Sequence, residues 1–288
     1  LLPGQEPAVL LEKNFLGLTN RGFHHVAYTE WGTKERARTV ICVHGLTRNG
    51  RDFDDLAAAL QQERRVACPD MVGRGNSDWL ADKQQYTFAT YCADMTALMA
   101  RLGADSYDWV GTSMGGMIGM FLAAQPNSPI RRLVINDAGA FVPKAAPQRM
   151  LEYVGIEKTF ATPAEAELYF RTVYKTFGPM TDAQWAHLTR HSVRRRQEDR
   201  SYTLAYDPDI VAPMRSPQDL NLWGVWDEIR CPILLLRGTE SDVLSPEIAE
   251  QMRRRRPQTE VVEFAGIGHA PALRDPKQIE AIRQWLLK

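Results

Sequence analysis

Short apolar runs alternate with longer stretches of helical periodicity along most of the chain. Thr39 to His44 reads TVICVH, a continuous, largely β-branched run of the kind that forms a strand covered on both faces. RVACP (Arg65 to Pro69), SYDWVG (Ser106 to Gly111), RLVIN (Arg132 to Asn136), PILLLRG (Pro232 to Gly238) and EVVEFAG (Glu260 to Gly266) repeat the form. HHVAYTEWG (His24 to Gly32) alternates instead, as a half-buried strand does. Between the strands, RDFDDLAAAL, FATYCADMTALMARLG and SPEIAEQMRRRR read as amphipathic helices. In the last of these, Ser245 is placed as the N-cap, with Pro246 at the first helical position. Strands in alternation with helices predict an α/β fold with a mostly parallel sheet covered on both faces.

The alternation breaks between about Phe141 and Trp223. QRMLEYVGIEKTF, PAEAELYFRTVYKTF and TDAQWAHLTRHSV are helical in pattern, and no convincing buried strand lies among them. The strand at Pro232 resumes the alternation. The pattern predicts a core domain made of residues 1–140 and 224–288, with residues 141–223 inserted as a helical cap, a natural lid.

A chain of 288 residues is long enough for one large domain carrying such an insertion. Lys plus Arg number 35 and Asp plus Glu 35, so the chain lacks the basic footprint of a nucleic-acid binder. No apolar run approaches the ~18 residues of a membrane span, and LLPGQEPAVLLEKN lacks the basic start and apolar stretch of a secretion signal. Cys42, Cys68, Cys92 and Cys231 show no metal-ligand or C-x-x-C spacing and read as small core residues, as suits a reducing cytoplasm. A cytoplasmic protein acting on a small molecule, without metal or organic cofactor, is the expectation. Nothing in the pattern indicates an oligomeric state.

The chemistry centres on DWVGTSMGGMIGMF, where Gly111-Thr112-Ser113-Met114-Gly115 is a G-x-S-x-G pentapeptide set between a buried strand and a helix. That context presents a serine hydroxyl on a sharp, strained turn where Cβ atoms at Gly111 and Gly115 would collide with backbone. A serine needs a base, and the base needs an orienting acid. His269, in a Gly-rich loop just after the last strand (EFAGIGHAPAL), is the candidate base. His24 and His25 open an N-terminal strand, His187 and His191 lie in the insertion, and His44 ends a strand with a different task. Three acids compete. Asp242 in LLLRGTESDVLSP ranks first, ahead of Asp137 in VINDAGA and Glu240 two residues before Asp242. Backbone N–H groups of Met114 and Leu46, the latter in HGLTRNG, are the candidate oxyanion donors.

VICVHGLTRNGRDFDDLA, CPDMVGRGNSD, VGTSMGG, LLLRGTESDVLS and GIGHAPAL together resemble, in this order, the α/β-hydrolase superfamily. The resemblance spans nearly the whole chain outside the insertion. It implies an eight-stranded, mostly parallel sheet with a helical cap, and Ser113, Asp242 and His269 as nucleophile, acid and base. It also implies that Asp70, Gly73, Gly75 and Ser77 shape a turn beside the site. Serine at the elbow departs from epoxide hydrolases and haloalkane dehalogenases, which carry Asp there. Thr47 stands where many lipase-like members have Pro, and Ala270 where meta-cleavage C–C hydrolases usually have Trp.

The cap carries Tyr153, Phe160, Tyr169, Phe170, Tyr174, Phe177 and Trp185. Aromatics at helical spacing are more often core than pocket; Tyr169, Tyr174 and Trp185 are the candidate substrate contacts. RRRQEDR and RRRR read as solvated helix ends. The expected activity is a serine hydrolase cleaving a small carboxylic ester or lactone through an acyl-enzyme. A C–C hydrolase acting on a diketone, or a ligand-binding receptor retaining the triad, are the rivals.

Overall fold

The structure is a computed structural model describing residues 10–34 and 38–288. The first part of the chain forms β1 (Leu10–Thr19), β2 (Gly22–Trp31), β3 (Thr39–Val43), α1 (Asp54–Leu60), β4 (Arg65–Pro69), α2 (Phe88–Leu102), β5 (Tyr107–Thr112), α3 (Met114–Ala123) and β6 (Ile130–Asn136). The insertion adds β7 (Phe141–Val142), α4 (Ala145–Met150), β8 (Thr159–Phe160), α5 (Pro163–Val173), α6 (Asp182–Ser192), β9 (Val193–Arg195), β10 (Tyr202–Leu204) and β11 (Leu220–Asn221). The chain closes with α7 (Trp223–Glu228), β12 (Ile233–Gly238), α8 (Pro246–Arg255), β13 (Glu260–Phe264) and α9 (Pro276–Leu287).

Eight strands make one sheet in the order β1-β2-β4-β3-β5-β6-β12-β13, antiparallel at β1-β2-β4 and parallel from β4 to β13. The central strands are buried on both faces, and their alternate side chains feed two cores. Val40, Cys42, Val66, Cys68 and Leu234 pack with α1 and α9, whereas Ile41, Val43, Ala67, Trp109 and Leu235 pack with α2 and α3. Ser245 caps α8 as its position implied, accepting from the Ile248 N–H. β1 has no counterpart in the sequence reading. It is an edge strand with Leu16 and Leu18 exposed, so its two faces carry no contrast from which a period could be read.

The insertion is less purely helical than its pattern suggests. β8, β10 and β9 form a small antiparallel sheet, and QRMLEYVGIEKTF is a short helix followed by turns, with Gly155 at φ +89°. β7 pairs antiparallel with β11, drawing the two ends of the insertion together. The Asp70–Ser77 turn is where this segment docks: Gly75 N–H donates to Ala205 O and Asp207 N–H to Gly73 O, both at 2.8 Å. Inside the turn, Asp70 accepts from the Gly50 and Asn76 N–H groups at 2.7 Å, while burial pushes its carboxyl up to about 6.

His44, at the end of β3, is wholly buried and accepts from the Met71 N–H at Nε2 (2.9 Å). Its proton therefore sits on Nδ1, which donates to Gly45 O at 2.6 Å. This neutral ring pins the turn after β3 to the one after β4. Burial pushes the His44 imidazolium down to about 3 from the ordinary 6.5. The unfolded chain thus takes up a proton that the fold refuses, so this contribution to stability is complete above pH 6.5 and is lost as pH falls towards 3. The expected cost is roughly 1.4 kcal/mol for each pH unit in that window. Urea unfolding at several pH values checks it: His44→Gln should be less stable at pH 7 and show a flatter slope between pH 6 and 4. Parallel curves for the two proteins would contradict it.

Candidate functional site

The site begins with a contact too close for side chains. A Cβ at Gly111 would lie 2.2 Å from Gly115 O, and one at Gly115 would lie 2.0 Å from Val43 O. Two glycines therefore let the first turn of α3 press against the ends of β5 and β3. Ser113 links β5 to α3 at φ 52°, ψ −115°, a left-handed excursion that a serine makes only when its surroundings hold it. Its N–H is held by Asn136 O at 2.8 Å.

The Ser113 hydroxyl lies 2.9 Å from His269 Nε2, and His269 Nδ1 lies 2.8 Å from Asp137 Oδ2. Asp137 is fully buried and follows β6 directly, with its own N–H bonded to Leu236 O of β12. At φ 59° the backbone turns and the carboxyl faces His269. It also accepts from Ser241 Oγ at 2.6 Å and from the Gly238 N–H at 3.2 Å. Three donors surround this carboxylate, which is what a buried negative charge requires.

Asp242, the leading sequence candidate for the acid, is not the partner of His269. Ser241 Oγ accepts from the Val243 and Leu244 N–H groups and so curls the loop after β12. The next side chain, Asp242, points outward to Arg149 of α4, and both members of that pair are nearly half exposed. Glu240 is exposed as well. Both aspartates follow a strand, and their order in the chain does not separate them. The difference is distance from the strand end: Asp137 is the next residue after β6, whereas Asp242 lies four residues beyond β12.

Leu46 and Met114 both border the space at Ser113. Met114 is the first residue of α3, so its N–H has no carbonyl one turn back to bond. Leu46 is held through its carbonyl by Arg74 Nε at 2.8 Å. Arg74 is fully buried; it also donates to Val72 O and Tyr91 Oη, and its guanidinium lies over the Tyr86 and Tyr91 rings. The letters around Arg74 carried no sign of this support.

A cavity of about 500 Å3 opens at Ser113 and His269. Of the three aromatics expected to face substrate, only Tyr174 lines it; its hydroxyl is 3.1 Å from Thr47 Oγ1 and its ring lies under Arg48. Tyr169 packs against Phe160 and Phe170, and Trp185 is buried under Arg171, so both belong to the packing of the insertion itself. Tyr153 lines the cavity in their place. The insertion also grips the His269 loop: Gly268 N–H donates to Thr176 O at 2.8 Å, Thr176 Oγ1 to His269 O at 3.0 Å, and Ala272 N–H to Phe177 O at 3.2 Å.

Among the described residues one group has metal-ligand spacing, Asp54, His187 and His191. Arg274 donates to His187 Nδ1 at 3.1 Å, so the His187 proton sits on Nε2, which donates to Asp54 Oδ2 at 2.8 Å. Arg51 Nε donates to both Asp54 oxygens. With both His187 nitrogens engaged and a guanidinium on the carboxylate, the group latches α6 to α1.

A family model described as the alpha/beta hydrolase fold matches residues 38–276. A 3-hydroxybutyrate-oligomer hydrolase from Cupriavidus necator is 41% identical over 273 residues, covering 92% of this chain and 93% of that protein. The crystal structure of an alpha/beta hydrolase from Novosphingobium aromaticivorans matches with TM-score 0.86 at 33% identity, covering 96% of this chain and 98% of that one. The crystal structure of a hydrolase from Rickettsia typhi matches with TM-score 0.90 at 30% identity, over 97% and 99% of the two chains. No helix among the described residues is long and apolar enough to cross a membrane. In sheet order, serine elbow and relatives alike, the chain belongs to the alpha/beta hydrolase family and is a hydrolase.

Proposed function

We propose that this hydrolase cleaves carboxylic esters through a covalent acyl-serine, and that its substrates are short esters of hydroxy acids. The observation that carries the chemistry is the line of hydrogen bonds from Ser113 through His269 to Asp137. His269 takes the Ser113 proton as Oγ attacks the carbonyl carbon, and Asp137 keeps the imidazole in the orientation that leaves Nε2 free to do so. The carbonyl oxygen, becoming an oxyanion, is received by the Leu46 and Met114 N–H groups. His269 then gives its proton to the departing alcohol, takes another from water, and the resulting hydroxide releases the acid. The substrate class is supported by the Cupriavidus relative, which acts on 3-hydroxybutyrate oligomers. Hydroxy acids join to one another through ester bonds, the bond this site is arranged to break. The four free cysteines fit a reducing compartment, and we place the enzyme in the cytoplasm.

Ser113→Ala should fold normally and lose ester hydrolysis by several orders of magnitude. A fluorophosphonate should add to Ser113 of the unaltered protein, seen as one adduct by intact mass. A folded protein that hydrolyses esters with Ser113 unlabelled would refute the nucleophile.

The two aspartates should separate sharply. Asp137→Asn would orient His269 in the wrong tautomer and should lower kcat by about 10⁴, as in the serine-protease case. Asp242→Asn removes only a half-exposed ion pair, worth about 1 kcal/mol or less, and should change kcat by less than about tenfold. Steady-state kinetics on p-nitrophenyl butyrate decide the matter; the reverse ranking would restore Asp242 as the acid.

A further inference from the structure

Two cavities of opposite character meet at Ser113. The first, of about 500 Å3, is the one bordered by His269, and charged side chains line it: Arg48, Arg149, Lys175, Glu152, Glu240 and Asp242. The second, of about 390 Å3, lies on the other side of Ser113 and is walled by Phe88, Met117, Val142, Pro147, Ile210 and Met214 among others, with no charged residue in its lining. Only Leu46, Ser113 and Met150 border both, so Leu46 and Met150 form the septum above the serine.

We propose that the two chambers divide the ester, the apolar one holding the acyl part and the charged one the alcohol part. This division rests on the serine-hydrolase reading above. Its direction follows from the proton. As the Ser113 Oγ–carbon bond forms and the carbon–alkoxide bond breaks, the proton taken from Ser113 passes from His269 Nε2 to the leaving oxygen. That oxygen must therefore lie within about 3 Å of Nε2. His269 borders the charged chamber and not the apolar one, so the alcohol departs on the charged side. The acyl group, left bonded to Ser113, extends into the apolar chamber. The emptied charged chamber then admits water on the side where His269 can activate it.

The lining also matches the polarity of a hydroxy-acid oligoester. Its free carboxylate end cannot enter a chamber without a charged or strongly solvating partner, because an unpaired buried carboxylate is too costly. In the other chamber Arg149 and Lys175 are available, and among the described residues the Arg149 side chain has one ion-pair partner, the half-exposed Asp242. Connectivity makes the carboxyl-terminal fragment the alcohol part of every ester bond in such an oligomer, so the division puts its carboxylate in the charged chamber, and that fragment leaves first. The hydroxyl-terminal units form the acyl-enzyme.

Two ester series test the division, one varying the acyl chain from acetate to octanoate on p-nitrophenol, the other varying the alcohol on acetate. Met117→Trp, which fills the apolar chamber, should lower kcat/KM for long acyl chains relative to acetate by about tenfold or more. The ranking of alcohols should move by less than about twofold, since no alcohol contact changes. If the alcohol ranking collapsed and the acyl ranking held, the assignment would be reversed and the proposal overturned. Should Met117→Trp not fold, two phosphonate probes on the unaltered enzyme decide instead. With phenolate leaving groups of matched acidity, an octyl chain on phosphorus should speed Ser113 labelling relative to the same chain at the para position of the departing phenolate; the opposite order overturns the division. Failure of both probes and of every ester would sink the serine-hydrolase reading itself, and the division with it.

Discussion

The close approach of α3 to the ends of β3 and β5 is the constraint on which the site depends. It exists because Gly111 and Gly115 have no Cβ; with any other residue the helix would stand off from the strands. That approach forces Ser113 into its left-handed conformation and sets the first N–H of α3 beside the turn after β3. The cost of the strained serine is met by the sheet: β5 pairs with β3 and β6 on its two sides, and Asn136 O fixes the Ser113 N–H. The elbow is rigid because the sheet beneath it is.

Buried polar groups hold the loops around that elbow. His44 bridges the turns after β3 and β4 as a neutral ring, and Arg74 carries its charge into the interior to hold Leu46 through its carbonyl. A buried guanidinium is expensive unless every donor finds an acceptor, and here carbonyls, a tyrosine hydroxyl and two aromatic faces supply them. The loop that carries Leu46 to the edge of the cavity is thus held from behind by Arg74.

The insertion and the His269 loop are mechanically joined. The sequence pattern suggests a cap that merely sits as a lid over the core domain. Thr176 and Phe177 instead bond the backbone on either side of His269, so a displacement of this part of the insertion would carry the imidazole with it. Three hydrogen bonds, two of them between backbone groups and one from the Thr176 hydroxyl, tie the two together.

Most of the framework was legible from the chain itself, since strands buried on both faces must be continuous apolar runs and the elbow admits only glycine at Gly111 and Gly115. Ser113 and His269 could be placed from their neighbours, because a serine between strand and helix and a histidine after the last strand occupy positions set by chain order. The acid could not. Asp137 and Asp242 both follow strands in the linear text, and β6 and β12 are neighbours in the sheet, so either loop starts close to His269. What separates them is a single backbone turn at Asp137 and the curl around Ser241, set by hydrogen bonds that exist only once β6 and β12 pair. The division of the insertion's aromatics was equally hidden. Tyr169 and Tyr174 lie five residues apart in similar text, but one meets Phe160 and the other meets Thr47, a contact 127 residues away along the chain that only the folded insertion brings into reach.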